Sequence, residues 1–399
     1  MVLSKEIEDK IKKDALARIT KRDKPSEDVN LYLFTDEITV DQKIIAGSKA
    51  MSIPRKTALV FADMAPRCNW GHPCQHMLYD AETGEMYKKE DTNFPPKSFF
   101  TNAEKYKAIH IPVKRIDVVK KRKSKVQPVK RKLIKSKGNR YAILFSGMSD
   151  NRHVNDIEFL YRTLIDVYGF KTSKIYVLNF DGTINYSSWG PHPVENWPGD
   201  NTPYRMKVND KGTKIALEKV LDKLATILKE EDELLIHMNN HGSGPPYDPE
   251  SNLCCYPENE EDWYDAYNAS EFGEKLKTLP KFTELIVVME QCHSGGFNKP
   301  IIDNSPAKKT HVCAACEEDK SSIGGANFDP FALDWIAGVT GHYPGGTGLE
   351  EEADTNQDEL ISANEAFDYA NAVHDPYDTP VSKDKPEGSG SKMFLGLGE

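Results

Sequence analysis

The sequence predicts an α/β protein: a largely parallel sheet flanked by helices, preceded by a smaller N-terminal mixed or β-rich domain. From Tyr141 onward, short apolar runs alternate with segments of helical periodicity, a pattern typical of a parallel sheet covered on both faces. Two of these runs, 233–238 and 285–289, lead directly into polar side chains and glycine. Ligands bind at the carboxyl edge of open parallel sheets, so this edge is the predicted functional site.

The N-terminal part, residues 1–112, lacks that alternation. Residues 1–20 are predicted to be helical because Leu3, Ile7, Ile11 and Ile19 fall on one stripe. Strands are predicted at 31–34, 57–64 and 108–113. Two cysteines and two histidines lie within nine residues, at Cys68, His72, Cys74 and His76. Their spacing fits no zinc pattern, and a packed turn around Trp70 and Pro73 is the favoured alternative.

The remaining elements follow from periodicity and capping signals in residues 141–399. Buried strands are predicted at 141–147, 174–180, 233–238, 285–289 and near 310–315, with a final strand at 392–397. Helices are predicted at 154–167, at 216–227, after a capping box of Asn268 and Glu271, near 330–339 and at 364–372.

A basic segment, residues 113–140, separates the two parts. It holds thirteen Lys or Arg and one acid, Asp117, so the rest of the chain carries a net charge of −22. Such a run is usually a solvated linker. Two alternatives stay open: a segment lying across the acidic remainder, and a segment exposed for cleavage. Nucleic-acid binding is disfavoured because no aromatic residues interleave with the charges.

Composition narrows the functional class. The chain of 399 residues has a formal charge of −10, which does not favour a nucleic-acid partner. No stretch approaches the ~20 apolar residues of a membrane span, and the charged start shows no signal peptide. Seven cysteines, an odd number, indicate reduced thiols. We therefore expect a cytoplasmic protein without a membrane or nucleic-acid partner.

His241 and Cys292 are the predicted catalytic pair. Each follows an apolar run by the same short interval, and neighbouring strands lie about 4.8 Å apart. If the two strands pair in parallel, the imidazole and the thiol arrive side by side. Histidine can then take the thiol's proton, and the thiolate is a nucleophile. The glycines that follow let backbone N–H groups approach a substrate carbonyl.

An acidic stretch near the C-terminus has the spacing of a calcium loop. Oxygen-bearing side chains fall at positions 1, 3, 5, 9 and 12, namely Asp354, Asn356, Asp358, Ser362 and Glu365. Glu359 occupies position 6, where the sharp turn of such a loop favours glycine. The alternative is an acidic turn that caps the following helix. No cofactor is expected for the chemistry itself; calcium is the one ion the sequence suggests.

Short motifs in the order of the chain resemble the legumain family of caspase-fold cysteine peptidases. The similar segments are YAILFSG (141–147) with NRHVND (151–156), NHGS (240–243), EQCHSGG (290–296), AACEEDKSS (314–322) and LDW (333–335). They span about Tyr141–Trp335, whereas residues 1–112 show no such resemblance.

The resemblance implies roles for individual residues. His241 and Cys292 form the dyad, and the backbone N–H groups of Gly242 and Cys292 form the oxyanion hole. The family's third catalytic member is an asparagine at the position of Asp150, so this member is uncertain. The implied specificity pocket consists of Arg152, His153, Glu290, Ser321, Ser322 and Asp334.

Arg152 between the acids Glu290 and Asp334 presents both donors and acceptors, which matches the side chain of asparagine. Protonated aspartate would match at acid pH. The predicted function is therefore a cysteine endopeptidase that cleaves peptides or proteins after Asn, with Asp second. A transpeptidase using the same dyad and a non-catalytic caspase-fold interaction module are the alternatives.

Control of the enzyme is a further expectation, since relatives are often made as zymogens. Asn139 offers the preferred residue at the end of the basic segment, which is too charged and glycine-flanked to expect burial. In one view, residues 1–112 cover the active-site edge until cleavage after Asn139. In the other, they are a permanently docked accessory domain.

Overall fold

The protein forms two compact units, one up to Arg115 and one from Ile116 onward. The structure is a computed structural model that describes residues 3–20, 28–47, 49–68, 71–128, 131–186, 196–259 and 262–396. Within these ranges no helix is long and apolar enough to cross a membrane.

The N-terminal unit is built on a five-stranded antiparallel sheet of order β6-β5-β4-β1-β7. Its elements are α1 (Lys5–Thr20), β1 (Asn30–Phe34), β2 (Lys43–Ala46), β3 (Lys49–Ser52), β4 (Thr57–Asp63), β5 (Cys74–Asp80), β6 (Met86–Thr92), α2 (Lys97–Thr101) and β7 (Tyr106–His110). The expected stripe of α1 is buried: Ile11, Ala15 and Ile19 pack with Leu31 and Val60 of the sheet. Cys74 opens a buried strand, and Trp70 lies outside the described residues.

The C-terminal unit contains a six-stranded sheet of order β16-β15-β14-β10-β8-β9, parallel except for the β15–β16 pair. Its strands are β8 (Arg140–Ser146), β9 (Ile175–Asn179), β10 (Glu233–Met238), β14 (Glu284–Met289), β15 (Lys309–Ala314) and β16 (Val381–Lys385). A smaller antiparallel sheet joins β11 (Gly242–Ser243), β12 (Asn252–Cys255) and β13 (Asp265–Asn268).

Helices cover both faces of the large sheet. They are α3 (Val118–Lys121), α4 (Asn151–Asp166), α5 (Lys214–Ile227), α6 (Ala269–Leu276), α7 (Asn298–Asn304), α8 (Pro330–Thr340) and α9 (Ala363–Val373). Residues of α4, α8 and α9 share one apolar core with alternate residues of the strands, and residues of α5, α6 and α7 share the other. The predicted α/β fold with its β-rich N-terminal unit is confirmed.

The edge of the large sheet differs from the prediction. Residues 392–397 do not form a strand within the described part; only Phe394 makes an isolated bridge, to Ser362. The edge strand is instead β16, which reads VSKDK. Its lysines and aspartate hide the strand signal, because edge strands are often charged to block pairing with other chains.

The basic segment does not behave as a free linker. Residues from Ile116 onward belong to the C-terminal unit. Val118 is buried in its core, and the buried Arg131 donates to the carbonyl of Gly338 at 2.8 Å. The solvated linker predicted from charge is therefore wrong for the described residues of 116–140. The alternative of a segment across acidic groups agrees with the ion pairs of Arg122 to Asp334 and Glu350.

Candidate functional site

The register of two strands brings the predicted catalytic residues to one edge. Strands β10 and β14 pair in parallel, with Met238 opposite Met289. His241 and Cys292 each lie three residues beyond these partners, so they leave the sheet at the same height. Both are buried, with 2% and 0% of their surface exposed.

The two loops that carry these residues are in backbone contact. A Cβ atom at Gly242 would lie 2.5 Å from the carbonyl oxygen of Cys292, so only glycine fits at this position. His293 adopts the left-handed conformation, with φ 61° and ψ 17°, which is uncommon for a residue other than glycine. Its ring turns away from Cys292: Nδ1 donates to the carbonyl of Glu318 at 2.8 Å. The sharp turn therefore starts directly after the predicted nucleophile.

Two asparagines that precede His241 hold its loop in place through hydrogen bonds. The sequence analysis assigned a role to neither of them. The side chain of Asn239 donates to Asp156 at 2.9 Å. Asn240 accepts from the Gly147 N–H at 3.0 Å and donates to the carbonyl of Cys254, also at 3.0 Å. These contacts join three segments, so the position of His241 is held by buried hydrogen bonds. The run NNHG (239–242), in which two asparagines precede the predicted catalytic histidine, was the signal that could have identified them.

Asp150 lies against His241, as the uncertain third member of the predicted site. Its Oδ2 is 3.2 Å from His241 Nε2 and 2.5 Å from Arg152 Nη1. Burial alone would raise the pKa of Asp150, but the charge of Arg152 and the hydrogen bond to His241 hold that pKa well below its ordinary value. Asp150 is therefore a carboxylate, and a carboxylate favours the tautomer of His241 with its proton on Nε2.

Arg152 does not have the partners that the sequence suggested. Besides Asp150 it contacts Asp329, with Nε 2.8 Å from Oδ1. Asp329 also lies 3.4 Å from His153 Nε2 and forms the N-cap of α8. The Asp-Pro pair that starts this helix was a visible signal for a cap, but not for a contact with Arg152. Asp329 was missed for this reason.

Asp334 was assigned to the pocket of Arg152, and the structure corrects this pairing. Asp334 lies on α8 and pairs with Arg122 of the basic segment. Its other oxygen accepts from the Tyr343 hydroxyl at 2.8 Å. Asp334 lies about one helical turn beyond the cap residue Asp329. Its side chain therefore pairs with Arg122 rather than with Arg152. Burial raises the pKa of Asp334 to about 7, against the charge of Arg122.

The other predicted pocket residues gather near Cys292 or Arg152. The Oγ of Ser322 lies 3.7 Å from Cys292 Sγ, and Ser321 precedes it in the same loop. His153 accepts from the Asp150 N–H through Nδ1 at 2.9 Å. Glu290 accepts from the N–H of Ala332 at 2.7 Å, near the start of α8.

The acidic loop near the C-terminus uses its oxygens on backbone groups. Glu365 accepts from the N–H groups of Thr355, Asn356 and Ser362, and Ser362 caps α9 with Glu365 in a capping box. Asp354 accepts from Asp358 and Glu359, and Asn356 accepts from Asp358. These contacts are those of the alternative, a capping turn. Calcium binding at Asp354, Asn356, Asp358, Ser362 and Glu365 stays a prediction.

Two further sequence predictions meet different surroundings. In the described residues no group of three or more His, Cys, Asp or Glu is placed to hold a metal ion; His72, for example, lies 3.0 Å from Asp63. Asn139 is half-buried, its N–H donates to Asp232 and its C=O accepts from Glu233. The expectation of an unburied cleavage segment is therefore wrong at Asn139.

Comparisons with known proteins bear on the C-terminal unit. Residues 140–332 match the model of the Peptidase C13 family. A search of curated proteins found none that matches the chain. Among solved structures, the chain is similar to protein GSU0716 from Geobacter sulfurreducens, with 13% identity and a TM-score of 0.38 over 62% of this chain and 93% of that chain. That similarity is too low to carry an argument. The family match supports a cysteine peptidase of the legumain type.

Proposed function

We propose that the protein is a cysteine endopeptidase that cleaves after asparagine through an acyl-enzyme on Cys292. The proposal rests mainly on the parallel register of β10 and β14. His241 and Cys292 each follow by three residues the paired positions Met238 and Met289. A structural role does not require a thiol and an imidazole at this shared edge. The match to a peptidase family over the same residues agrees with the proposal.

In the proposed reaction, His241 Nδ1 takes the proton of the Cys292 thiol. The Asp150 carboxylate, 3.2 Å from Nε2, accepts a hydrogen bond from the other ring N–H. It thereby stabilises the imidazolium that forms. The thiolate attacks the carbonyl carbon of the peptide bond, and the C–N bond breaks as His241 returns the proton to the leaving amine. Water then hydrolyses the thioester, with His241 as the base.

The oxyanion of the tetrahedral intermediate needs donors that are fixed before the reaction. The backbone N–H groups of Gly242 and Cys292 are the proposed donors. Gly242 lies directly against the backbone of Cys292, and the buried hydrogen bonds of Asn239 and Asn240 hold the preceding loop. The donors are therefore part of a rigid edge.

The groups around Arg152 suit an asparagine side chain. The guanidinium offers N–H donors to an amide oxygen, and Oε1 of Glu290 offers an acceptor to an amide NH2. Within the described residues, this Glu290 oxygen is buried without a hydrogen-bond partner. Lysine and arginine side chains are disfavoured because Arg152 would repel them.

The test uses peptides with Asn, Asp or Lys at the cleaved position and identifies products by mass. We expect the natural protein to cleave after Asn, and Cys292→Ala and His241→Ala to reduce the rate at least about a thousandfold. Cys313→Ala is the matched control, because it removes a buried thiol from β15 and should keep activity within about twofold.

Full activity of Cys292→Ala or His241→Ala would overturn the proposal, as would a preference for Lys. Repeating the reaction with an added peptide amine separates the two fates of the acyl-enzyme. A product joined to the added amine would identify a transpeptidase with the same dyad. A natural protein that cleaves no peptide would instead favour a non-catalytic interaction module.

A further inference from the structure

Asp378 lies close to the predicted nucleophile although no motif assigned it there. It follows α9 in the loop after residue 373 and lies outside the family match, which ends at residue 332. Its Oδ1 accepts from the N–H of Ile323 at 2.9 Å. Ile323 directly follows Ser322, whose Oγ is 3.7 Å from Cys292 Sγ. Asp378 is therefore hydrogen-bonded to the residue that directly follows Ser322, the serine next to the Cys292 thiol.

Several buried carboxyl oxygens lack a hydrogen-bond partner among the described residues, and two of them belong to Asp378 and Glu290. These two are Oδ2 of Asp378 and Oε1 of Glu290, on side chains of residues that are only 2% and 0% exposed. An unsatisfied buried acceptor costs about 1–3 kcal/mol. Such groups in native proteins call for an explanation, and a ligand that supplies donors is one.

The electrostatics place Asp378 and Glu290 in one group. Burial raises the pKa of Glu290 well above its ordinary value, and the charges of Asp329, Asp378 and Asp156 raise it further. Burial also raises the pKa of Asp378, against the hydrogen bond from Ile323, and the charges of Asp375, Asp329 and Asp334 add to the increase.

The cation in this group is already engaged by acids. Arg152 pairs with both Asp150 and Asp329, so its one positive charge faces two carboxylates. A substrate carboxylate would have to compete with them.

We propose that Asp378 is a specificity-determining residue: its Oδ2, together with Oε1 of Glu290, accepts hydrogen bonds from the amide NH2 of a substrate asparagine and thereby selects Asn over Asp. This inference rests on the proposed function and adds the group that makes the choice. An ionised aspartate offers no NH2 donor to these oxygens. A site built to accept from a substrate NH2 rejects an analogue that lacks it, because its own acceptors stay unpaired.

The experiment measures kcat/KM at neutral pH for paired peptides that differ only in Asn or Asp at the cleaved position. We compare the natural protein with Asp378→Asn, which keeps an oxygen for the Ile323 N–H and replaces the second oxygen by a donor. The Asn/Asp ratio of kcat/KM should fall by about tenfold, the upper end of the effect of one neutral hydrogen bond.

Asp375→Asn is the matched control, since it makes the same charge change in the same loop. Asp375 accepts from the N–H of Tyr377 within its own turn, so its variant should keep the ratio within about twofold. Equal losses on both peptides in Asp378→Asn would mean a structural role only and would overturn the inference.

Failure of the two proposals is distinguishable. A natural protein that does not cleave after Asn removes the proposed function, whereas cleavage after Asn with an unchanged ratio in Asp378→Asn removes only the role of Asp378. Thermal melting checks that the variant folds. If it does not, Asp378→Glu, which keeps both oxygens, should retain the preference for Asn; loss of that preference in a folded Asp378→Glu protein with normal kcat/KM on Asp would count against the inference.

Discussion

Two arginines of the C-terminal unit, the buried Arg152 and the partly buried Arg122, have similar partners and different surroundings. Arg152 pairs with Asp150 and Asp329 beside Cys292, and Arg122 pairs with Asp334 and Glu350 at α8. At the α8 centre, the group formed by Arg122, Asp334 and Glu350, both oxygens of Asp334 have donors, from Arg122 and from Tyr343. Near Cys292, by contrast, buried oxygens of Glu290 and Asp378 have no hydrogen-bond partner among the described residues.

This difference separates a binding arrangement from a structural one. Arg122 also donates to the carbonyl of Val373 at 2.8 Å and so ties the basic segment to α8 and α9. Breaking such a pair leaves an uncompensated charge. Near Cys292, Oε1 of Glu290 and Oδ2 of Asp378 have no hydrogen-bond partner among the described residues, which leaves them available to a substrate group. The hydrogen-bond partners of the carboxyl oxygens, rather than charge, therefore distinguish the two centres.

The largest effect on activity is expected from Arg152→Lys, which tests the role of Arg152 in substrate binding. A lysine keeps the charge but cannot replace the planar fork that reaches both Asp150 and Asp329. We expect kcat/KM on an Asn peptide to fall by about ten- to a hundredfold, as for the loss of a charge-assisted hydrogen bond. The measurement is steady-state cleavage. Unchanged kinetics would show that the fork at Arg152 has no part in substrate binding.

The matched variant Arg122→Lys should act on stability instead. The ammonium cannot contact Asp334, Glu350 and the Val373 carbonyl together, so the free energy of unfolding should fall by about 1.5 kcal/mol. Cleavage per folded molecule should stay within about twofold. Urea unfolding with active-site titration separates these readouts. A selective loss of Asn cleavage would instead make the α8 centre part of the site.

A further effect on stability is expected from pH at Asp334. The pKa of Asp334 is about 7 in the folded protein against an ordinary 3.8. Since the folded state holds this proton more strongly, the stabilisation is complete below pH 3.8 and is lost as pH rises towards 7. Its slope is at most about 1.4 kcal/mol per pH unit.

Asp334→Asn removes this titration. Urea unfolding at several pH values between 4 and 7 should show the natural protein losing stability relative to Asp334→Asn as pH increases. A difference that stays constant over this range would contradict the raised pKa. Activity on Asn peptides is the control and should follow the same pH profile in both proteins.

The strands and the positions of His241 and Cys292 followed from the sequence because they depend on local patterns. Apolar runs predicted the strands β10 and β14, and equal intervals to the two reactive residues predicted their meeting. The capping box at Asn268 predicted α6. The edge strand β16 did not follow, because its polar sequence carries no burial signal.

The sequence by itself determined the α/β fold and the shared edge of His241 and Cys292, and its resemblance to a family singled out Arg152. Only the tertiary structure decided which acids accompany each arginine: Asp329 rather than Asp334 at Arg152, Asp334 at Arg122, and Asp378 beside Ile323. The strands themselves are predicted by local patterns of apolar residues, and their parallel direction brings equivalent positions to the same edge. The choice of an ion partner depends on where distant segments pack, and residues with the same charge are interchangeable in a sequence until that packing is known.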